Sequence, residues 1–192
     1  MQDITHYMRA GTLSLTSLPP LSLYIHLPWC LKKCPYCDFN SHEVSSRTSQ
    51  IKVHSSLPSA SSSPNLNPDL SSTTPTQHPH LPIALEQQYI AALIADLQSA
   101  LPLIWGRPVQ SIFIGGGTPS LFSPESIESL LSQIRSLLPL VAECEITLEA
   151  NPGTFEKDRF RAFKNAGVTR LSVGVQSFND AHLQALGRVH SA

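Results

Sequence analysis

Strands and helices alternate along the second half of the sequence, and this alternation limits the fold more than any other feature. Short apolar segments typical of buried strands occur at Leu21–Leu27, Ser111–Ile114, Glu145–Leu148 and Arg170–Val175. Helical patterns with short connections separate the later three. Because strands that alternate with helices in this way pair in parallel, the sequence predicts an α/β fold with a parallel sheet. Periodicity does not distinguish an open sheet from a barrel.

The predicted helices carry periodic apolar positions and recognisable ends. The first has an apolar side chain at every fourth position, at Leu85, Tyr89, Leu93, Leu97 and Leu101. Ser123 is the predicted N-cap of the second helix, with Pro124 as its first residue. The expected buried face of that helix comprises Ile127, Leu130, Leu131, Ile134, Leu137 and Leu138. Thr154 is predicted to cap a third helix that ends at Gly167, and a last short helix is expected at Asp180–Leu186.

One internal segment differs from the rest in composition. Residues 45–81 repeat Ser and Pro, carry only the charges of Arg47, Lys52 and Asp69, and have no sustained apolar period. Such a segment cannot bury enough surface to offset its chain entropy, so a disordered insertion is predicted. The expected organisation is a flexible N-terminus (1–20), a first strand with a cysteine loop (21–44), the insertion (45–81) and the remainder of the domain (82–192).

Composition argues against several classes of function. The 192 residues include 13 Lys and Arg against 14 Asp and Glu, for a formal net charge of −1. A nucleic-acid partner requires a basic surface, so no nucleic acid is expected, and a tRNA-modifying enzyme is disfavoured. No apolar run reaches the roughly 20 residues of a membrane span. The first twenty residues contain no clear targeting signal, and mitochondrial or cytoplasmic residence is expected.

Three of the four cysteines lie close together, in the segment CLKKCPYCDFN that begins at Cys30. Without export, disulfides are not expected, so clustered cysteines indicate metal or redox ligands. Thiolates spaced C-x-x-x-C-x-x-C suit a cubane iron–sulfur cluster, because soft sulfur ligands favour it and one short loop can wrap it. A structural zinc site would need a fourth ligand. His42 or Cys144 could supply it, although Cys144 is otherwise expected to be a small buried residue.

Further candidate residues fall at the carboxyl ends of the predicted strands, where ligands bind in α/β folds. The glycine run GGGTP (115–119) follows the second strand, Glu149 closes the third and Gln176 closes the fourth. The glycine run lacks the spacing of a phosphate loop or a dinucleotide fold, and by itself it could be a plain tight turn. Glu149, Gln176 and Arg188 could each contact a ligand or be solvated residues, and Tyr24 alone would be expected in the core.

Five segments taken together resemble the radical S-adenosylmethionine proteins of the anaerobic coproporphyrinogen III oxidase family. They are YIHLPWCLKKCPYCDFN, FIGGGTPS, ITLEANPGT, RLSVGVQSFND and LGRVH. The resemblance is greatest to the HemW-type haem-chaperone branch of that family. It implies a partly open (β/α) barrel with a [4Fe–4S] cluster, S-adenosylmethionine and an external electron donor. It also implies reductive cleavage of S-adenosylmethionine to methionine and a 5′-deoxyadenosyl radical.

The resemblance assigns roles to residues of this chain. Cys30, Cys34 and Cys37 would ligate the cluster, whose remaining iron would bind the amino and carboxylate groups of S-adenosylmethionine. The residues expected beside S-adenosylmethionine are Tyr24, Tyr36, Gly116, Gly117, Thr118, Glu149, Gln176 and Arg188.

One position separates the two branches of the family. The cysteine motif of the oxidases looks like C-x-x-x-C-x-x-C-x-C. This sequence has Phe39 at the position of the last cysteine in that motif. Phe39 favours a chaperone that binds haem and transfers it to an acceptor protein. The alternative is an oxygen-independent coproporphyrinogen III oxidase, which converts two propionates to vinyls.

The resemblance also predicts an incomplete barrel. The family's later strands, a further acidic cofactor contact and the C-terminal domain with the haem-binding motif have no counterpart up to Ala192. A barrel that stops after about four strands, with an unpaired strand edge, is therefore expected. A non-functional fragment is accordingly a third hypothesis.

Overall fold

The computed structural model of the chain describes residues 17–44, 81–104, 106–152, 157–188 and 190–192. Its elements are, in chain order, β1 (Leu21–Leu27), β2 (Trp29–Cys30), β3 (His42–Glu43), α1 (Ile83–Ile104), β4 (Val109–Gly116), a 3₁₀ turn (Pro119–Leu121), α2 (Pro124–Leu137), β5 (Leu140–Ala150), α3 (Lys157–Asn165), β6 (Arg170–Val173) and α4 (Asp180–Ala185). The predicted helix cap at Thr154 lies outside the described residues. Most of the predicted flexible N-terminus and nearly all of the predicted insertion also lie outside them.

Four parallel strands form the central sheet, in the order β1-β4-β5-β6. A helix lies between each pair of consecutive strands, with α1 before β4, α2 before β5 and α3 before β6. The strands therefore follow chain order across the sheet, as they do in a (β/α) barrel, whereas the strand order of a doubly wound sheet reverses. The predicted α/β fold with parallel strands is confirmed, and its winding is that of a partial barrel.

The two faces of this sheet differ in chemistry. On one face, alternate strand residues pack against the helices in the hydrophobic core. These strand residues are Ile25, Leu27, Ile112, Ile114, Ile146 and Leu148. Because successive strand residues point to opposite faces, a second face carries Tyr24, His26, Phe113, Gly115 and Glu149, and we call it the inner face. Tyr24 lies opposite Phe113 in the strand register and is 57% exposed.

Helix α1 buries a different stripe from the one predicted. Its buried residues are Glu86, Ile90 and Ile94, while the predicted row from Leu85 to Leu101 is only half-buried along the edge of the core. A row of every-fourth positions slants around a helix with 3.6 residues per turn, so it cannot stay at the centre of the buried face. Leu81, predicted to end the insertion, is instead buried in the core. None of the helices in the described ranges is long and apolar enough to cross a membrane.

Helix α2 begins as predicted, and a buried carboxylate reinforces its start. Ser123 is the N-cap, and its Oγ accepts a hydrogen bond from the Ser126 amide at 3.2 Å. The Glu86 carboxylate accepts hydrogen bonds from the Ser123 hydroxyl at 2.6 Å and from the Ser123 amide at 3.1 Å. The core residues of α2 include the predicted Ile127, Leu130, Leu131 and Ile134. Glu86 thus joins α1 to the loop that leads into α2.

Strand ends differ from the predicted ones by a few residues. Strand β4 extends to Gly116 because the glycines continue its pairing with β1, up to the pair formed by Leu27 and Gly116. Strand β6 ends at Val173, so Gln176 lies beyond the strand and does not close it. Cys144, expected to be buried, is only half-buried at the edge of the core.

Candidate functional site

A cavity of about 540 Å³ opens at the carboxyl ends of the central strands. The cysteine loop (residues 30–40) and the segments that follow β4, β5 and β6 enclose it. The predicted site residues in its lining are Cys30, Cys34, Tyr36, Cys37, Gly116, Gly117, Thr118, Glu149, Gln176 and Arg188. Of the predicted set, Tyr24 alone is absent from this lining. A larger cleft of about 720 Å³ lies between α3 and β6 and contains none of the predicted residues.

The cysteine loop is closed by a small parallel sheet of two strands. Strands β2 and β3 pair Trp29 with His42 and Cys30 with Glu43. The His42 amide donates to the Pro28 carbonyl at 2.7 Å. Within the loop, the Cys37 amide donates to the Cys34 carbonyl at 3.0 Å and forms a tight turn. The backbone therefore holds all three thiols on one loop, and all four cysteines of the chain are free thiols.

The glycine run fits tightly against the start of the cysteine loop. The Gly117 amide donates to the Leu27 carbonyl at 2.8 Å, and the Thr118 amide donates to the Trp29 carbonyl at 2.7 Å. A Cβ atom on Gly117 would lie 2.6 Å from the Trp29 carbonyl oxygen. Gly116 has a φ of +111°, and a Cβ there would meet the His26 ring at 2.6 Å. The glycines are therefore required by close approach and by backbone conformation, and the run is more than a plain turn.

Burial and hydrogen bonds act on the groups beside the cysteines. Burial raises the pKa of the Cys30 thiol, while hydrogen bonds with the Thr118 and Ser41 side chains oppose that rise. Burial also raises the pKa of the Tyr36 phenol, and its interaction with Cys34 adds to the rise. The Cys37 sulfur lies 3.5 Å from the Ser41 hydroxyl. Hydroxyl groups therefore lie beside the buried Cys30 sulfur and the half-buried Cys37 sulfur.

Glu149 joins the cavity to the inner face. Its Oε2 accepts a hydrogen bond from the Gly116 amide at 3.2 Å. Burial, and next the negative charge of Glu149, raise the pKa of the Tyr24 phenol. The Tyr24 hydroxyl lies 2.9 Å from His26 Nδ1, and the Tyr24 ring stacks on Phe113 with centroids 6.3 Å apart. Tyr24 is thus an inner-face residue near Glu149, and its predicted contact with a cofactor stays a prediction.

The far side of the cavity is formed by the segment from Gly174 to Arg188. Gln176 has a φ of +66°, a left-handed conformation that is uncommon for a residue other than glycine. Arg188 donates through Nη2 to the Gly174 carbonyl at 2.7 Å and to Asn151 Oδ1 at 2.6 Å. Through Nη1 it donates to the Cys34 sulfur at 3.6 Å. A guanidinium from the end of the chain therefore contacts the cysteine loop.

Comparison with known proteins identifies the family. The model of the radical SAM superfamily matches residues 24–192, which include every residue of the cavity lining. The chain belongs to the radical SAM superfamily.

The curated relatives of this chain are named as haem chaperones or as radical S-adenosyl methionine domain proteins. It is 44% identical over 176 residues to the haem chaperone HemW of Escherichia coli, an alignment that covers 92% of this chain and 37% of the relative. It is 46% identical over 182 residues to HemW of Haemophilus influenzae, with 93% and 38% covered. The bovine radical S-adenosyl methionine domain-containing protein 1, mitochondrial, is 35% identical over 172 residues, with 89% and 30% covered. The chain thus spans between 30% and 38% of the length of these relatives, and the predicted resemblance is confirmed.

A solved structure has the same fold. Coproporphyrinogen III oxidase (HemN) from Escherichia coli, described as a radical SAM enzyme, aligns with a TM-score of 0.64 and 27% sequence identity. The alignment covers 90% of this chain and 31% of that structure. The partial (β/α) barrel inferred from strand order is therefore supported independently by a solved relative.

The donor set in the radical SAM cavity is compatible with a cluster. Within the described residues, no group of three or more His, Cys, Asp or Glu side chains is arranged to hold one metal ion. Neither His42 nor Cys144, the candidate fourth ligands of a zinc site, belongs to the cavity lining. A cubane cluster distributes its protein ligands over separate irons, so three thiols spread along one cavity wall are compatible with it. The Arg188 guanidinium at the cavity wall suits an anionic group beside it.

Asn151 is the main residue of this site that the sequence reasoning missed. It directly follows β5 and lines the cavity, where it bonds Arg188 and donates to the Thr118 hydroxyl at 2.9 Å. The missed signal was its position, because it lies two residues after Glu149 at a strand end and within the quoted segment ITLEANPGT. Lys32, Asp38 and Ser41 also lie in or beside the cysteine loop and were not predicted.

Proposed function

We propose that this chain forms the cluster- and S-adenosylmethionine-binding part of a haem chaperone that transfers haem to an acceptor protein. One observation carries the proposal: the three loop cysteines line a single cavity together with seven further residues that the sequence predicted at the cofactor. The names of the HemW relatives supply the haem-chaperone part of the proposal.

In this proposal, the cysteine loop holds a [4Fe–4S] cluster through Cys30, Cys34 and Cys37. Three protein thiolates would leave one iron open to the amino and carboxylate groups of S-adenosylmethionine. When bound, the cluster supplies one electron, received from an external donor, for reductive cleavage of S-adenosylmethionine. The protein residues around it exclude water and fix the orientation of the bound cofactor.

The remaining lining residues divide by chemistry. The glycine run offers backbone groups to the methionine end of the cofactor, since Gly116 and Gly117 permit close approach. The Glu149 carboxylate accepts hydrogen bonds from ammonium or hydroxyl groups, and the Arg188 guanidinium pairs with a carboxylate. Gln176, Thr118 and Tyr36 are the remaining lining residues and are proposed as hydrogen-bonding or packing groups. Tyr24 lies outside the lining, on the inner face, and completes the proposed set.

Phe39 favours the chaperone over the oxidase. It is 68% exposed at the rim of the cavity, in the position where the oxidases are expected to have a fourth cysteine. Haem and a haem-acceptor protein are the proposed partners, together with an electron donor. Relatives from cattle and mouse carry the word mitochondrial in their names, which favours mitochondria for a eukaryotic source and the cytoplasm for a bacterial one.

The second candidate function is oxygen-independent coproporphyrinogen III oxidase. The structural similarity to HemN, at a TM-score of 0.64, is the observation that favours it. Anaerobic incubation with coproporphyrinogen III, S-adenosylmethionine and a reductant separates the two functions. We expect no vinyl product, and sustained product formation would replace the chaperone proposal by the oxidase.

The deciding experiment is anaerobic reconstitution of the chain with iron and sulfide, followed by electron paramagnetic resonance of the reduced sample. We expect a [4Fe–4S] signal that changes when S-adenosylmethionine is added. Cys34→Ser should lose the signal, whereas Cys144→Ser, a matched thiol outside the cavity, should retain it. Absence of a cluster in the wild-type chain, or a signal insensitive to S-adenosylmethionine, would contradict the proposal. Haem titration followed by absorbance then tests the chaperone part.

A further inference from the structure

Asn151 lies between two residues that contact the cysteines, and its amide can be oriented in only one way. The Arg188 guanidinium has donors and no acceptor, so the atom of Asn151 at 2.6 Å from Arg188 Nη2 must be the amide oxygen. The amide nitrogen then faces the Thr118 hydroxyl, to which it donates at 2.9 Å. Asn151 therefore accepts on one side and donates on the other.

This orientation determines where the Thr118 hydroxyl sends its own hydrogen. Thr118 is 3% exposed, so its hydroxyl needs a partner within the protein. Because one lone pair already accepts from Asn151, the hydroxyl hydrogen is free to point to another acceptor. The Thr118 side chain lowers the pKa of the Cys30 thiol against the effect of burial, which is the direction expected when a hydroxyl donates to the sulfur. Donation from Thr118 to Cys30 is therefore consistent with the orientation that Asn151 fixes.

The other end of the network reaches a second cysteine. Arg188 is held by two acceptors on Nη2, the Asn151 amide oxygen and the Gly174 carbonyl, which leave Nη1 directed to the Cys34 sulfur at 3.6 Å. The Arg188 amide also donates to the Leu183 carbonyl at 2.9 Å and anchors the residue to the end of α4. One asparagine thus orients donors to two of the three loop sulfurs.

We propose that Asn151 is a positioning residue that directs Arg188 to the Cys34 sulfur and Thr118 to the Cys30 sulfur, and that it thereby raises the reduction potential of a cluster bound there. The inference rests on the proposed cluster site and adds to it the control of its potential. Reduction adds negative charge to a cluster and its thiolates. Hydrogen bonds donated to the sulfurs stabilise that charge and favour the reduced form.

The test is a potentiometric titration of the reconstituted full chain, monitored by electron paramagnetic resonance, in six forms. These are the wild type, Asn151→Asp, Asn151→Ala, Thr118→Val, the double variant Thr118→Val with Asn151→Asp, and the control Gln133→Ala. Asn151→Asp keeps an acceptor for Arg188 but has no amide donor, so the Thr118 hydroxyl turns to the carboxylate and leaves Cys30. At a fixed potential we expect the ratio of reduced to oxidised cluster to fall about tenfold, a midpoint shift of about 59 mV for one electron.

A second substitution distinguishes positioning from a general structural effect. Thr118→Val should lower the midpoint in the wild-type background and change it little in the Asn151→Asp background, where the hydroxyl no longer serves the sulfur. Gln133→Ala, which removes a side-chain amide on α2 outside the cavity lining, should leave the midpoint unchanged. If Asn151→Ala assembles no cluster, Asn151→Asp decides the question, because it retains the anchor of Arg188.

The outcomes separate this inference from the proposed function. A wild-type chain without a cluster would contradict the proposed function and this inference with it. A wild-type cluster sensitive to S-adenosylmethionine, together with equal midpoints in wild type and Asn151→Asp, would overturn the role of Asn151 alone. Additive effects of Thr118→Val and Asn151→Asp would overturn it equally.

Discussion

Gly117 lies where the end of β4 meets the cysteine loop, and there is no room for a side chain. A Cβ atom would stand 2.6 Å from the Trp29 carbonyl oxygen and 2.7 Å from the Pro28 carbonyl carbon, both backbone atoms that cannot rotate away. We expect Gly117→Ala to destabilise the chain by about 1–3 kcal/mol, the usual cost of overpacking. It should also displace the cysteine loop and reduce cluster content after reconstitution, measured as iron and sulfide per chain.

Gly106 is a control that separates crowding from backbone strain. Its φ is +67°, and a Cβ there would meet nothing within 4 Å. Gly106→Ala should cost about 1–2 kcal/mol through left-handed strain alone and leave the cluster content unchanged. Equal cluster content in both variants would show that Gly117 does not determine the position of the cysteine loop.

At the scale of elements, α1 and α2 are joined through a buried carboxyl group that hydrogen-bonds the N-cap of α2. Glu86 is 0% exposed and accepts from both the hydroxyl and the amide of Ser123, the N-cap of α2. Ser123→Ala removes the cap and one hydrogen bond of a buried carboxylate at the same time. We therefore expect a loss of about 2–4 kcal/mol in the free energy of unfolding, measured by urea denaturation.

Asn179 provides the matched cap without a buried carboxylate. Its side chain caps α4 by accepting from the Ala181 and His182 amides, and these contacts are exposed. Asn179→Ala should lower the free energy of unfolding by about 1 kcal/mol, the usual value for an N-cap.

A rescue substitution tests Glu86 directly. In the Ser123→Ala background, Glu86→Gln should recover part of the lost free energy of unfolding, because a neutral amide is cheaper to leave poorly paired than a carboxylate. Similar losses for the two caps would argue against a role for Glu86.

Local signals in the sequence predicted the elements whose boundaries depend on near neighbours. Strand β1 and the start of α2 are as predicted, since an apolar run beside Pro19 and Pro20 and a Ser-Pro pair need no tertiary information. The carboxyl end of β4 was predicted two residues too early, at Ile114, because Gly115 and Gly116 weaken an isolated strand. In the structure, pairing with β1 extends the strand to Gly116. The buried position of Glu86 was not foreseen, since its partner is a helix cap 37 residues away.

At the scale of the whole molecule, parallel strand order brings the predicted site together. Residues that end separate strands converge because β1, β4, β5 and β6 all present their carboxyl ends at one edge, so the lining followed from fold class and motif order. Asn151 was missed because its importance depends on contacts with Thr118 and Arg188, and no spacing rule encodes them. The conformation of Gln176 likewise depends on the folded loop.

Burial of thiols and phenols also predicts how stability depends on pH in the chain without its cluster. Burial raises the pKa of Cys30 and Cys144, and it raises the pKa of Tyr24 and Tyr89. Below the ordinary thiol pKa of about 8.5, folded and unfolded chains are both protonated at these groups. The contribution of these groups to the free energy of unfolding is then fully present. As the pH rises, the unfolded chain releases protons that the folded chain keeps, so the free energy of unfolding falls.

Anaerobic urea denaturation of the apoprotein at intervals from pH 7 to pH 10.5 measures this dependence. We expect a decline that begins near pH 8.5, where the thiols ionise in the unfolded chain, and steepens near pH 10, where the phenols do so. Cys144→Ser should reduce the first part of the decline without affecting the cavity, because Cys144 lies outside its lining. Tyr89→Phe should reduce only the second part. Stability that stays constant or rises over this range would contradict the raised pKa values of these groups in the folded chain.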